Sequence, residues 1–383
     1  MTTIATPSGL TATVVNGNSV KLDWVDNSTN EQGFLIERKT TGDYTLLAVV
    51  AANVITYTDT TVAADTGYYY RLRGYLTESN AYIYFGKRTG AWSSPEGLIR
   101  SADGLYFWLS DTGANKIRKY DVDLTTAQVS VFGSSGSGAG NDSFSSPKGV
   151  VDNGGGQLYI CDSGNHRIKK MSTGGSFVAE IGSSGTGNNQ FNSPCGIALQ
   201  SSLLYIADRD NHRIMVRNSS DLTYVGKFGK GDATGASGSG DGEFIQPYGV
   251  AVNASYIFVT DKDNDRIQVF NLASPYGKVG EFGKLNSSGL TAGVGDVGAV
   301  IKPTGICISG TNVFVSDSSN SRIQIFQAVP PFSYVGKTGS NGTGNGQLTL
   351  NGAYGITITG SKIYVIDKAF GSNAGRIMAF NNS

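Results

Sequence analysis

One motif recurs through the last three quarters of this chain and limits what it can fold into. Proline, a variable residue, glycine and an aliphatic residue follow one another at Pro95-Glu96-Gly97-Leu98, Pro147-Lys148-Gly149-Val150, Pro194-Cys195-Gly196-Ile197, Pro247-Tyr248-Gly249-Val250 and Pro303-Thr304-Gly305-Ile306. A sixth copy, Ala353-Tyr354-Gly355-Ile356, has alanine in place of the proline. The starts lie 47 to 56 residues apart. Each unit continues with a β-rich stretch that ends in Asp, and a basic residue and Ile follow five positions later. The pairs are Asp111 and Lys116, Asp162 and Arg167, Asp208 and Arg213, Asp261 and Arg266, and Asp317 and Arg322. In the sixth unit four extra residues separate Asp367 from Arg376. Self-similarity at this period means one supersecondary unit repeated, each copy burying its apolar face against the next.

Composition narrows the class further. With 53 glycines and abundant Asn, Ser and β-branched residues, few stretches can hold a helix, so the chain is all-β. Thirty basic and thirty acidic residues cancel, and residues 95–383 are balanced as well, which argues against a nucleic-acid partner. No apolar run is long enough to span a bilayer as a helix. The start, Met-Thr-Thr-Ile-Ala-Thr-Pro, has neither a basic nor an apolar leader segment, so no export signal is expected.

Residues 1–94 follow a different grammar of short alternating strands. Leu10–Val15 meets Ser19–Trp24 across Asn16-Gly17, a dipeptide that tolerates the positive φ of a tight hairpin. Further strands are expected near Gly33–Arg38, Tyr44–Val49, Thr56–Asp59 and Tyr68–Tyr75, about seven in all, a number typical of a two-sheet sandwich. The Pro7-x-x-Leu10 opening, Trp24, Asn30-Glu-x-Gly-Phe-x-Ile-Glu-Arg38 and Thr66-Gly-Tyr68-x-Tyr70-Arg71-Leu72 resemble a fibronectin type III domain. That resemblance implies an immunoglobulin-like sandwich with Trp24 and Tyr68 in its core.

The second half resembles NHL repeats. The likeness lies in Asn165-His166-Arg167 and Asn211-His212-Arg213 and in the turns Phe132-Gly133, Phe228-Gly229 and Phe282-Gly283. It implies a six-bladed β-propeller over 95–383, with blades starting near 95, 147, 194, 247, 303 and 353. The sixth unit ends after three recognisable strands. Tyr82–Lys87 could be its missing outer strand or the last strand of the sandwich. We assign it to the sandwich, which leaves the sixth blade three-stranded.

The recurring acid–base pairs are expected to be scaffold, since an Asp and an Arg facing each other across a hairpin form a charge-assisted bridge. Function is sought where the repeats differ. The variable residues Glu96, Lys148, Cys195, Tyr248, Thr304 and Tyr354 ring the channel mouth, and His166, Arg209, His212, Lys262 and Asp263 lie in nearby loops. Of these, Glu96, Lys148, Tyr248, Thr304, Tyr354, His166, Arg209, His212, Lys262 and Asp263 form the candidate binding face, with the tyrosines offered for stacking against a sugar.

Enzyme chemistry is weighed and set aside. The two histidines occupy equivalent positions of neighbouring units, and Asp261–Asp265 lacks the glycine and terminal Glu of a calcium loop. Neither metal nor cofactor is expected, and the cysteines read as buried small side chains. The sequence therefore predicts a non-enzymatic binding or structural protein, a bacteriophage virion component whose propeller face binds a host glycan or another virion protein within a larger assembly. A secreted or cell-surface carbohydrate-binding protein and a metal-dependent lyase or lactonase are the alternatives.

Overall fold

The computed structural model describes residues 7–27, 29, 33–41, 45–75, 84–89, 92–121, 128–133, 137–230, 236–284, 298–341, 347–349, 351–359, 362–368 and 375–381. Asn30, Glu31, Tyr44, Tyr82, Ile83, and residues 134–136 and 231–235 of two Gly-rich loops lie outside them. Apart from strands, the described elements are four 3₁₀ turns of three residues each. Among the described residues no helix is long and apolar enough to cross a membrane.

The chain divides into two units, Met1–Ala81 and Tyr82–Ser383. In the first, Ser8–Asn16, Ser19–Val25 and Thr56–Asp59 form one antiparallel sheet, and Thr45–Ala51, Gly33–Lys39 and Tyr69–Tyr75 form another. Period-two alternation on Ser19–Val25 turns Leu22 and Trp24 inward, where they meet Phe34 and Ile36. The Trp24 and Phe34 rings stand edge to face with centroids 5.7 Å apart. Tyr68 is half-buried rather than central. Its hydroxyl oxygen accepts the Ala63 N–H at 3.0 Å, a corner that pins the chain just before Tyr69–Tyr75.

The second unit holds six four-stranded antiparallel sheets. Their first strands are Gly97–Arg100, Pro147–Asp152, Pro194–Gln200, Pro247–Val252, Pro303–Ser309 and Ala353–Thr359. The second strands, such as Leu203–Asp208, are buried on both faces between neighbouring sheets and so read as continuous apolar runs. Outer strands such as Phe177–Ile181 alternate instead, leaving Val178 exposed.

The motif glycines explain why the first strands can converge. A Cβ on Gly97 would lie 2.1 Å from the Lys148 carbonyl oxygen, on Gly149 2.1 Å from that of Cys195, and on Gly196 2.3 Å from that of Tyr248. On Gly249 it would lie 2.4 Å from the Thr304 oxygen, on Gly305 2.0 Å from that of Tyr354, and on Gly355 2.6 Å from that of Glu96. The last contact returns to the first sheet, so the six form a closed cycle.

The sixth sheet corrects the sequence reading. Its order is Ala353–Thr359, Lys362–Asp367, Arg376–Asn381 and then Tyr84–Thr89, with Arg376 opposite Thr89 and Phe380 opposite Tyr84. The strand assigned to the sandwich therefore closes the sixth sheet, and the unit boundary falls at 81/82 instead of 94/95. Without it Arg376–Asn381 would present a bare edge of N–H and C=O groups.

The recurring acids bind in one pattern. One carboxylate oxygen accepts a backbone N–H from just before the motif: Ser145 to Asp162 at 2.7 Å, Asn192 to Asp208 at 2.6 Å, Ile245 to Asp261 at 2.8 Å, and Ile301 to Asp317 at 2.7 Å. The other accepts the Arg Nε at 2.7–2.8 Å in the pairs of Asp162 with Arg167, Asp208 with Arg213, Asp261 with Arg266 and Asp317 with Arg322, whereas in the sixth sheet one oxygen of Asp367 takes both the Thr349 N–H at 3.1 Å and the Arg376 Nε at 2.8 Å. The guanidiniums also donate to loop carbonyls, as Arg213 does to Thr186 at 2.5 Å and Gln190 at 3.0 Å.

The first sheet departs from expectation. Lys116 faces Asp111 in register, but the bridge comes from Arg118, whose Nε lies 2.8 Å from the carboxylate. Two residues on, Arg118 projects from the same strand face. Its planar fork reaches both Asp111 and the Gln128 side chain, which an ammonium cannot span in the same way.

Replacing Gly305 by Ala should force the fifth and sixth sheets apart and cost roughly 1–3 kcal/mol or more. Gly277, whose added Cβ would meet nothing closer than 3.9 Å, provides the control. Thermal denaturation of Gly305→Ala beside Gly277→Ala checks this, and equal melting points would refute the closed-cycle account.

Candidate functional site

Each motif places its variable residue at one end of the axis, and below it the aliphatic fourth residues form a collar. Leu98, Val150, Ile197, Val250, Ile306 and Ile356 are all buried and line, with the motif residues, an axial cavity of about 90 Å³. The polar end is dominated by Glu96, which is 7% exposed. It lies in the first sheet, yet its carboxylate accepts the hydroxyl of Tyr248 in the fourth, across the ring. Lys148 Nζ is 3.1 Å from the same carboxylate, and Lys368 also donates to it. Burial opposes ionisation of Glu96, but the charges of Lys148 and Lys368 and the hydrogen bonds from Lys368 and Tyr248 outweigh it and hold its pKa at about 2. Burial and the Glu96 charge push the Tyr248 and Tyr354 hydroxyls up.

The tyrosines are therefore not open stacking platforms. Tyr248 is 8% exposed, meets Tyr354 edge to face at 5.8 Å, and has Lys148 and Lys262 ammoniums 5.4 and 5.7 Å from its ring centre. Lys368 lies 4.2 Å over Tyr354. Thr304 is fully buried, its hydroxyl donating to the Ala353 carbonyl at 2.7 Å, so it joins two sheets instead of facing a ligand. Cys195 Sγ contacts the carbonyls of Pro247 and Tyr248 at 3.4 and 3.3 Å, and burial raises its pKa to about 11.

A second tier comes from the residue after each recurring Asp. At Thr112 and Ser163 its hydroxyl is tied to the next sheet, donating to the carbonyls of Pro147 and Pro194. At Arg209, Lys262 and Lys368 it is a long cation. Arg209 grips Asp210 through Nε and Nη2 at 2.8 and 3.0 Å. Asp263 pairs with Lys302 at 3.1 Å. Among the described residues no carboxylate lies within bonding distance of Lys262. Burial lowers its pKa, and Lys302 and Arg209 act in the same direction against Asp263. Lys368 is a site residue that sequence reasoning missed. It follows Asp367 as Lys262 follows Asp261, but the four-residue insertion obscured the correspondence.

The histidines do a different job. His166 Nδ1 accepts the Ser193 N–H at 3.1 Å, and His212 Nδ1 accepts the Gln246 N–H at 3.0 Å. Asn115 and Asp265 latch Ser146 and Lys302 in the same way, both at 2.8 Å. All four acceptors sit at positive φ of 51–57°. These latches join neighbouring sheets and stand apart from the mouth. Among the described residues no group of three His, Cys, Asp or Glu side chains is placed to hold a metal ion.

The NHL repeat family model matches residues 144–171 and 301–326. Over 74 residues the chain is 36% identical to NHL repeat-containing protein 2 of Gallus gallus, a match covering 18% of this chain and 10% of that relative's length. A structural genomics protein of unknown function from Bacteroides thetaiotaomicron superposes with a TM-score of 0.52 at 14% identity, covering 98% of each chain. A streptogramin B lyase has a TM-score of 0.49 at 15% identity, covering 78% of this chain and 98% of its own. A gluconolactonase from Xanthomonas campestris also has a TM-score of 0.49, at 12% identity, covering 76% of this chain and 86% of its own. The expectation of a non-enzymatic chain is corrected by these last two, because enzymes are among the solved structures with this kind of fold. The chain carries NHL repeats on an all-β, propeller-like fold.

Because Glu96 ionises far more readily when folded, it stabilises the protein fully above about pH 4.5, and that stabilisation is lost as pH falls towards about 2. Glu96→Gln should lower stability at neutral pH by about 3–5 kcal/mol, since two lysines lose a buried partner. It should also flatten the acid limb in that window. Urea denaturation across pH 2–7 reads both effects, and an unchanged acid limb would remove Glu96 from its assigned state.

Proposed function

We propose that the six sheets are the blades of a closed six-bladed β-propeller, that residues 1–81 form a fibronectin type III sandwich, and that the mouth of the propeller captures the acidic groups of a glycan chain. The single observation behind this reading is the surplus of cations around one carboxylate. Lys148 and Lys368 share Glu96, Arg209 and Lys302 have their own acids, and Lys262 stands over the Tyr248 ring with no acid within bonding distance among the described residues. A half-buried ammonium without a counter-ion has lost hydration that an incoming carboxylate would restore, so the site favours an anion. The axial cavity is too small to take a sugar ring, so the glycan stays outside it and presents its carboxylate to Lys262 at the mouth.

The binding face is a display surface, and the Gly-rich loops beside it are tied down by the blade arginines. A charge-poor, Gly/Ser-rich exterior joined to a small sandwich module fits an attachment role at a virion or cell surface. The polar ligand of the sequence reading thus becomes an acidic one, held by lysines instead of stacked on tyrosines.

Binding to polygalacturonate, with neutral dextran as comparison, tests the reading. The acidic chain should bind, and binding should weaken as salt rises. Lys262→Ala should reduce affinity about tenfold with an unchanged melting point. Equal binding of both polymers, or indifference to Lys262→Ala, would overturn it.

A further inference from the structure

The residue just before each motif proline is held in a conformation that side chains avoid. Ser94, Ser146, Ser193, Gln246 and Lys302 all lie at positive φ, between 48° and 53°. A residue other than glycine stays there only where its surroundings hold it. At Gln246 two hydrogen bonds do so. The Ile245 N–H reaches Asp261 of the same sheet at 2.8 Å, and the Gln246 N–H reaches His212 Nδ1, on the third sheet, at 3.0 Å. Pro247 follows with no N–H to give, and next comes Tyr248, whose hydroxyl crosses the axis to Glu96. The His212 latch therefore fixes the backbone that carries the tyrosine of the mouth.

The chemistry of the acceptor differs from seam to seam. Ser146 is held by the amide oxygen of Asn115 at 2.8 Å, a group that does not titrate. Gln246 depends on an imidazole nitrogen instead. Nδ1 accepts a hydrogen bond only while it carries no proton, so the latch requires neutral His212 with its hydrogen on Nε2. A proton on Nδ1 turns the acceptor into a donor that faces another donor, the Gln246 N–H. The bond is then lost, and the left-handed backbone of Gln246 loses its hold on the third sheet.

The surroundings favour the neutral ring. Burial lowers the His212 pKa from its ordinary 6.5, against the pull of Asp210 in its own turn and of Asp261 and Asp263 in the fourth sheet. Each of those carboxylates already has a cation: Arg209 lies 2.8 Å from Asp210, Arg266 2.8 Å from Asp261 and Lys302 3.1 Å from Asp263. Lys262 stands between the two acids of the fourth sheet in the chain and adds a further positive charge. Neutral His212 thus stabilises the latched state fully above about pH 6.5, and that contribution is lost as pH falls towards the lower folded value.

We propose that His212 is an acid-sensitive latch, whose protonation frees Gln246 and loosens the seam between the third and fourth sheets at the strand that carries Tyr248. The latch stands on the fold alone and not on the glycan reading of the mouth. Amide hydrogen exchange of the full chain, followed by NMR at about pH 7.5 and pH 5 and corrected for the intrinsic exchange rate, tests it. Both conditions lie above the range in which Glu96 loses its charge. Protection of the Gln246 amide should fall about tenfold or more between them, the span that an imidazole freed to its ordinary pKa allows. The Ser146 amide, bonded to Asn115, should keep its protection and serves as the control within the same molecule. His212→Asn supplies the acceptor already used at Asn115, so it should preserve the latch and abolish the fall. Equal protection of Gln246 at both pH values, an equal loss at Ser146, or an undiminished loss in His212→Asn would each overturn the proposal.

Discussion

The second unit depends on six places where a glycine lets one strand press against a neighbouring carbonyl. None of these glycines has a left-handed φ, so the requirement is space and not backbone freedom. A methyl group at any one would have to occupy the volume of an oxygen atom, and because the contacts form a cycle, the displacement could not be absorbed locally. The proline two residues before five of these glycines needs no hydrogen-bond donor at a strand start, and Ala353 takes its place in the sixth. The variable residue between them is then held with its carbonyl clamped and its side chain free to differ. The same three residues therefore fix the geometry and carry the chemistry.

The mouth illustrates how such a scaffold turns small sequence differences into electrostatics. Glu96 and Tyr248 belong to opposite sheets and meet because the cycle brings them to the axis. A buried carboxylate on its own would take up a proton. With two lysines and a tyrosine hydroxyl beside it, its ionisation is instead reinforced. Burial also lowers the pKa of Lys262, which among the described residues has no such partner. Lys148 and Lys368 are satisfied by one carboxylate, while Lys262 has in common with Lys148 only the Tyr248 ring.

Much of this was legible in the residues because it repeats. Asp208 and Arg213 could be paired from spacing, as their strand register shows, and the strand starts followed from proline and glycine. Non-repeating features were hidden for physical reasons. Tyr82–Lys87 could be read as the outer strand of the sixth sheet or as the last strand of the sandwich, and the wrong one was chosen because strand pairing leaves no local trace in an outer strand. Lys116 matched the consensus by position, but guanidinium geometry favoured Arg118. Tyr248 looked like a rim aromatic until the carboxylate across the ring was seen to draw it inward. His166 and His212 carried the look of chemistry, yet Asn115 and Asp265 do the same latch work, so any acceptor at that left-handed position suffices.

The strand Tyr84–Thr89 has one further consequence, for the order of events during synthesis. It is made before any of the six sheets is complete, and its partner Arg376–Asn381 follows nearly three hundred residues later. The ring therefore cannot close until the rest of the sixth sheet has been made, and its closing step joins segments far apart in the chain, which slows folding. Until then the nascent chain carries two bare strand edges that would mate with any neighbour, so crowded polysomes are where this protein is most exposed to tangling with its own copies.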